Sequence, residues 1–213
     1  MSEIVVIAVD GPAASGKGTL ARRIAAELGY AYLDTGLLYR AIGLALLRDG
    51  KDPADADSAA AHAVAFDVAT TDFDDPALRD EETGRAAGIV AANSHVREAL
   101  VEVQRRFAAA PPSGAPGAVL DGRDIGTVIC PEADHKIFVD ADIQVRADRR
   151  VKELQDRGVE SIPSRVLQDM KERDERDRTR SVAPLAPAAD ASVIDTTNLN
   201  ADAAFAEAMS IIR

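Results

Sequence analysis

The chain has no tryptophan and a single cysteine, and aromatic residues make up only 4% of its 213 positions. So few rings leave little from which to build stacking platforms for single-stranded nucleic acid. Cys130 alone can close no intramolecular disulfide and build no cysteine zinc site, which fits a reducing compartment such as the cytoplasm. Positive charge is also scarce: 25 Lys and Arg stand against 36 Asp and Glu, a formal net charge of −11. A nucleic-acid binder relying on a broad basic surface is therefore not expected, and any anionic ligand must be held by local charge. No apolar run approaches the ~20 residues a bilayer requires. The first ten residues lack a basic n-region and a small-residue cleavage site, and read as a strand rather than a secretory signal. The expectation is a cytoplasmic protein, monomeric, with small-molecule partners and neither nucleic acid nor membrane.

What is present is enough apolar material, 46% of residues, for one core. Strand and helix patterns alternate, which predicts an α/β fold with a parallel sheet covered on both faces. Strands are expected at Ile4–Val9, Tyr30–Leu33, Ala118–Leu120, Lys136–Val139 and Ser192–Ile194. Helices are expected from Ser15 to Leu28, with Gly29 as the stop, from a Thr35 cap to Leu47, and from Asp202 to Ile212. Residues 50–109 read as a mostly helical insertion with one further strand at Phe66–Thr70. Residues 151–180 lie in an arginine-rich stretch, with nine arginines between Arg146 and Arg180. The core is then residues 1–49, 110–150 and 181–213.

Between the first strand and first helix runs Gly11-Pro12-Ala13-Ala14-Ser15-Gly16-Lys17-Gly18-Thr19. The GxxxxGK spacing in this strand–helix context is a phosphate loop. Backbone N–H groups cradle phosphate oxygens, the helix start adds partial positive charge, and Lys17 reaches the β- and γ-phosphates. Position 18 is Gly rather than Ser or Thr, so the hydroxyl for Mg²⁺ is expected from Thr19 or Ser15. Asp121, at the end of an apolar strand, is placed as a carboxylate near Mg²⁺, through water.

A phosphate loop also suits a GTPase, a motor or a transporter subunit. No Asn-Lys-x-Asp guanine-reading motif occurs, and a switch protein has no use for four arginines at Arg40, Arg97, Arg123 and Arg180. Leu33-Asp34-Thr35-Gly36 leads to Tyr39-Arg40 after the second strand, and Asp121-Gly122-Arg123-Asp124 ends the third, where open α/β sheets bind ligands. Arg173, Asp177 and Arg180 are spaced to share one face of a helix. The three histidines, His62, His95 and His135, are scattered without ligand spacing, and Cys130 reads as a small packing residue. A kinase acting on UMP, AMP or a non-nucleotide acceptor stays open on these residues alone.

These motifs, with Lys171-Glu-Arg-Asp to Arg180 and Val182-Ala-Pro-Leu to Asp190, together resemble the bacterial cytidylate kinases from about Val5 to Asn198. The resemblance implies a P-loop fold in which ATP, with Mg²⁺, phosphorylates CMP or dCMP in pyrimidine nucleotide metabolism. It implies catalytic roles for Lys17, Arg123, Arg173 and Arg180, and acceptor-phosphate contacts from Arg40, Arg123 and Arg180. Thr35 and Asp177 match sugar-contacting positions, and Arg97 and Asp124 those that read the cytosine edge. Residues 50–109 would be the acceptor-binding insertion and 151–180 the lid. The sequence departs at Gly88, where the family often has Ser, and in an insertion lacking the strands usual near residues 70–78.

Overall fold

The computed structural model describes residues 4–68 and 70–213. Five apolar runs form strands: β1 (Val5–Asp10), β2 (Ala31–Asp34), β3 (Gly117–Gly122), β4 (His135–Asp140) and β5 (Ser192–Asp195). Their order across the sheet is β2-β3-β1-β4-β5. β1 runs parallel to β3 and β4, and β4 to β5. The first strand is thus central, with both neighbours contributed from far along the chain. Register places Val9 beside Asp121 and Asp10 beside both Gly122 and Phe138, so β1 and β3 end together while β4 runs on to Asp140. The carboxyl edge of an open sheet, where strand order reverses, is the place such folds bind ligands.

Alternation along the strands explains the layering. Ile7, Val9, Val119, Ile137, Val139 and Ile194 face α1 (Lys17–Leu28) and the C-terminal helix through Leu20, Ile24, Ala208 and Met209. Ala8, Leu120 and Phe138 point the other way and are buried as well. A strand buried on both faces reads as a continuous apolar run, which is what Ile4–Val9 offers. Each fully buried Ile or Leu contributes about 2 kcal/mol.

The remaining helices are α2 (Thr35–Arg48), α3 (Ala56–Ala65), α4 (Glu81–Val90), α5 (Ser94–Ala109), α6 (Ile143–Asp156), α7 (Pro163–Thr179) and α8 (Ala201–Ile212). The chain forms two compact units, one running to Leu33 and resuming at Ala108, the other Asp34–Phe107. The sheet, α1 and α6–α8 belong to the first. Within the second unit, Ala41 and Leu44 of α2 pack with Leu78, Phe66 and Phe73. No helix among the described residues is long and apolar enough to cross a membrane.

Three local expectations are corrected. The described part of Phe66–Thr70 forms a turn rather than a strand, and Ala69 lies outside the described residues. The Asp67 carbonyl accepts from the Thr70 N–H (3.3 Å) and from the Thr71 hydroxyl (2.7 Å), which closes the turn, while Phe66 joins the apolar cluster. Thr35 does not cap α2 but is its first residue. β2 runs straight into the helix, so Asp34 (φ −81°, ψ 96°) takes the extended capping position. Arg180 does not share a helical face with Arg173 and Asp177. The helix stops at Thr179, and Arg180 (φ −60°, ψ 140°) is the residue that leaves it.

Candidate active site

On the sheet unit, the nine residues from Gly11 to Thr19 comprise the loop that leaves β1 and the first turn of α1, which begins at Lys17. Gly11 (φ 152°) tolerates no side chain, because a Cβ there would lie 2.1 Å from the Val139 carbonyl oxygen. The loop is therefore pressed against the end of β4. Ala13 and Ala14 pack on an apolar cluster of Ala147, Leu154, Val166 and Met170, which ties the loop tip to α6 and α7. The buried Ser15 hydroxyl lies in the same loop, and Thr19 is exposed in the first turn of α1.

Lys17 extends toward the end of β3, its Nζ 3.6 Å from Oδ1 of Asp121. The Tyr32 hydroxyl donates to the other carboxylate oxygen at 2.9 Å. A Cβ at position 18 would come within 2.9 Å of Asp121 Oδ2, so a side chain there requires the carboxylate to shift. Asp121 occupies that space instead. Nothing in the sequence around Tyr32 marks it as a partner of Asp121, since the contact is made across strands.

Beyond β3, Arg123 and Asp124 begin a tight segment that continues as a π-helical turn over Ile125–Ile129, closed by Cys130 N–H on the Ile125 carbonyl (2.7 Å). Such turns recur at functional sites. Arg123 donates through Nε to Asp177 of α7. Burial alone works against both charges, yet each outweighs it in the other. The carboxyl of Asp177 is held below its usual range by Arg123, Arg173 and Arg180, and Arg123 is raised above its own by Asp177. Arg173 lies 4.0 Å from the same Asp177 oxygen. Arg180 bonds the Ala183 carbonyl through Nε and sits 3.8 Å from Asp124 Oδ1 through its terminal nitrogen. Its side chain is only 10% exposed, so Arg180 does not lie on a solvated helix face.

The helical unit holds the other candidates. Arg40 donates to the carbonyls of Leu78 (2.7 Å) and Asp80 (3.2 Å). Arg97, on α5 and buried, donates to the Ala91 carbonyl (3.3 Å) and its guanidinium lies 5.7 Å from the centre of the Tyr39 ring. Thr35 is buried at the start of α2, and Gly88 is on α4. His62 pairs with Asp49 (2.9 Å) in this unit, a surface role consistent with its isolation in sequence.

Three features escape sequence reasoning. Arg146, 3% exposed, joins Asp174 of α7 (2.6 Å) to the Ala13 carbonyl of the phosphate loop (3.3 Å). Arg149 bonds Thr196, whose hydroxyl donates to the Ser15 carbonyl at 2.8 Å. Beside them a cavity of about 290 Å³ is lined by Ser15, Thr19, Arg149, Thr196 and Asn200, among others. The third is Asp10, buried at the end of β1. Its two oxygens accept from the Ile125 and Gly126 N–H groups, both at 2.8 Å. Burial pushes its carboxyl up to about 7, helped by Asp124 and opposed by those two amides and Lys17.

Comparison with known proteins adds the following. The family model described as cytidylate kinase matches residues 7–213. The chain is 60% identical to a cytidylate kinase of Paramagnetospirillum magneticum, with 97% of each chain covered. It is 56% identical to one from Rhodospirillum rubrum, covering 98% of this chain and 97% of the other. Among solved structures it resembles a sugar kinase from Janibacter sp. (TM-score 0.53, 14% identity, 99% and 95% covered). A shikimate kinase from Bacteroides thetaiotaomicron is similarly close (TM-score 0.52, 12% identity, 99% of each chain covered). These two likenesses concern the fold.

Proposed function

The chain belongs to the cytidylate kinase family, and from that premise we propose the part each of its residues takes in phosphorylating CMP or dCMP with ATP. The reaction is transfer of the γ-phosphoryl group to the acceptor's phosphate, giving CDP or dCDP. That acceptor is already ionised near neutral pH, so no strong general base is required. The difficulty is bringing two anionic groups together, and positioning with electrostatic stabilisation supplies almost all the catalysis.

The observation that carries the reading is the set of arginines fixed by carboxylates at the sheet's ligand-binding edge, Arg123 on Asp177 and Arg180 beside Asp124. Guanidinium is planar, permanently charged and able to grip two phosphate oxygens, and here its pairing removes much of the entropy cost of holding it in place. Arg123 and Arg180 take the acceptor phosphate on this unit, with Arg173 adding charge from α7. Arg40 is assigned the same phosphate from the helical unit by the family pattern. Thr35 and Asp177 are assigned the sugar, and Arg97 and Asp124 the cytosine edge. The loop from Gly11 to Thr19 cradles the donor phosphates, and the cavity beside Arg149 and Thr196 takes the donor nucleoside. This is how a protein of net charge −11 holds two anions: its positive charge is concentrated where they bind.

Mg²⁺ is usually bound by one or two carboxylates together with substrate phosphates and waters. Asp121 fits that donor set: a buried carboxylate, oriented by Tyr32 and next to Lys17. Thr19 offers a hydroxyl on the loop. When bound, the ion would neutralise charge on the donor phosphates. Residues 50–109 serve as the acceptor-binding insertion and 151–180 as a lid that excludes water as a competing acceptor. The protein acts in the cytoplasm as a monomer, without nucleic acid or membrane partners.

Base selection is tested at Asp124. Cytosine carries an amino donor where uracil carries a carbonyl acceptor, and a carboxylate offers only acceptors. With Gly88 in place of the serine usual in the family, Asp124 supplies more of the discrimination. Asp124→Asn can turn its amide to donate instead, so the CMP-to-UMP ratio of kcat/KM should fall about tenfold or more, mainly by loss on CMP. A ratio that survives the substitution would remove Asp124 from base reading.

A further inference from the structure

The loop that binds the donor and the turn that carries the acceptor arginine come from strands more than a hundred residues apart in sequence. Their relative placement decides whether the γ-phosphoryl group and the acceptor oxygen meet in line. Backbone pairing of β1 with β3 fixes that placement only as far as Asp10 and Gly122. Beyond this point the two segments separate, and the sheet ladder no longer holds them.

Asp10 is the last residue of β1 and directly precedes Gly11. Oδ1 accepts the Ile125 N–H and Oδ2 the Gly126 N–H, each at 2.8 Å, and the residue is 6% exposed. Those amides directly follow Arg123 and Asp124 and open the π-helical turn. We propose that Asp10 is a positioning residue that sets the register between the phosphate loop and the turn bearing Arg123 and Asp124. The inference rests on the phosphoryl-transfer reading above and adds to it a residue that touches neither substrate.

The chemistry of the contact argues for this role. Two diverging N–H donors require two acceptor oxygens, which a carboxylate has and an amide lacks. Leaving a charged group at a buried strand end is costly unless its hydrogen bonds are made. Burial accordingly raises the Asp10 carboxyl to about 7 in spite of both amides and of Lys17 nearby. Lys136, the other cation on this side, lies alongside Gly126 and pairs with Asp190 at 2.7 Å. A hydrophobic residue would fill the same space at lower cost, but it would leave the two amides unmade and the turn unattached.

The test is Asp10→Asn, which keeps shape and removes one acceptor. A displacement of the turn by a fraction of an ångström to 1 Å should lower kcat by roughly 100-fold. The affinity for an unreactive ATP analogue, measured by calorimetry, should be unchanged, because the donor loop keeps its own bonds. Hydrogen exchange of the Ile125 and Gly126 amides should accelerate in the variant and be as slow in the parent as that of β3. An unchanged kcat overturns the inference, and so does a loss of analogue affinity in step with kcat, which marks a merely structural role. Should the variant fail to fold, fast exchange of both amides in the parent still overturns it, and slow exchange supports it. If the parent phosphorylates no nucleotide, the functional reading fails, whereas the exchange data report on the Asp10 contact independently.

Discussion

Lys17→Met is expected to lower turnover on the order of 1,000-fold, the scale associated with charged groups that follow the transferring phosphoryl. Methionine matches the length of the lysine stem but carries no charge to follow the electrons that collect on the β–γ bridge. The fold should survive. Asp121, the buried partner at 3.6 Å, keeps its hydrogen bond from Tyr32 when the ammonium is lost. Steady-state kinetics with a thermal melt separate the two effects: a collapse in kcat with a nearly constant Tm is the expected result. Near-normal turnover would contradict the phosphate-loop assignment.

Arg180→Lys should also be severe, although it conserves charge. Arg180 uses one edge of its guanidinium to hold the Ala183 carbonyl and presents a terminal nitrogen toward Asp124. Lysine has a single nitrogen and cannot do both while gripping a phosphate. Turnover is expected to fall about 100-fold, with a raised KM for CMP and little change in the KM for ATP. If all kinetic constants match the parent, Arg180 has no part in acceptor binding. The change is a sharper test than truncation to alanine, because with only 10% of the side chain exposed alanine would also create a cavity.

How much of this was readable beforehand follows from the range over which each feature is encoded. The phosphate loop is local: nine consecutive residues carry the glycines, the lysine and the strand–helix context, so its position was evident. The five strands were recognisable because each is a short β-branched or apolar run bounded by turn residues. Their register and order were not, since these depend on which runs share a sheet. Phe66–Thr70 has strand composition, but its described residues pair with no strand among the described residues. Its aromatic ring went to a helical cluster and its backbone closed on Asp67. Arg123 and Arg180 could be named as candidates from the motifs. Their partners, Asp177 and Asp124, could be named but not paired, because the helix end that redirects Arg180 lies one residue short of where periodicity would continue it.

Asp10, Tyr32 and Arg146 carried no signal at all. Each acts through atoms far away in sequence: backbone amides 115 and 116 residues on for Asp10, a carboxylate 89 residues on for Tyr32, and a loop carbonyl 133 residues back for Arg146. A polar residue ending an apolar strand is ordinarily a turn residue. Only burial together with named donors distinguishes a structural clasp from a solvated cap. Charged residues buried to less than a tenth exposure are costly unless paired. Arg146, Asp174, Asp177 and Asp10 are all buried in this way, and each is held by a partner from a distant part of the chain.

The most direct test of the account is the initial rate of phosphoryl transfer by the purified protein from Mg²⁺-ATP to CMP, dCMP, UMP and AMP, followed by coupled ADP release and by direct identification of the product. CMP and dCMP should be converted to the diphosphates with the highest kcat/KM, UMP much less efficiently and AMP least, with ADP release strictly dependent on acceptor. ADP release that ignores the acceptor, or a preference for UMP or AMP over CMP, would contradict it.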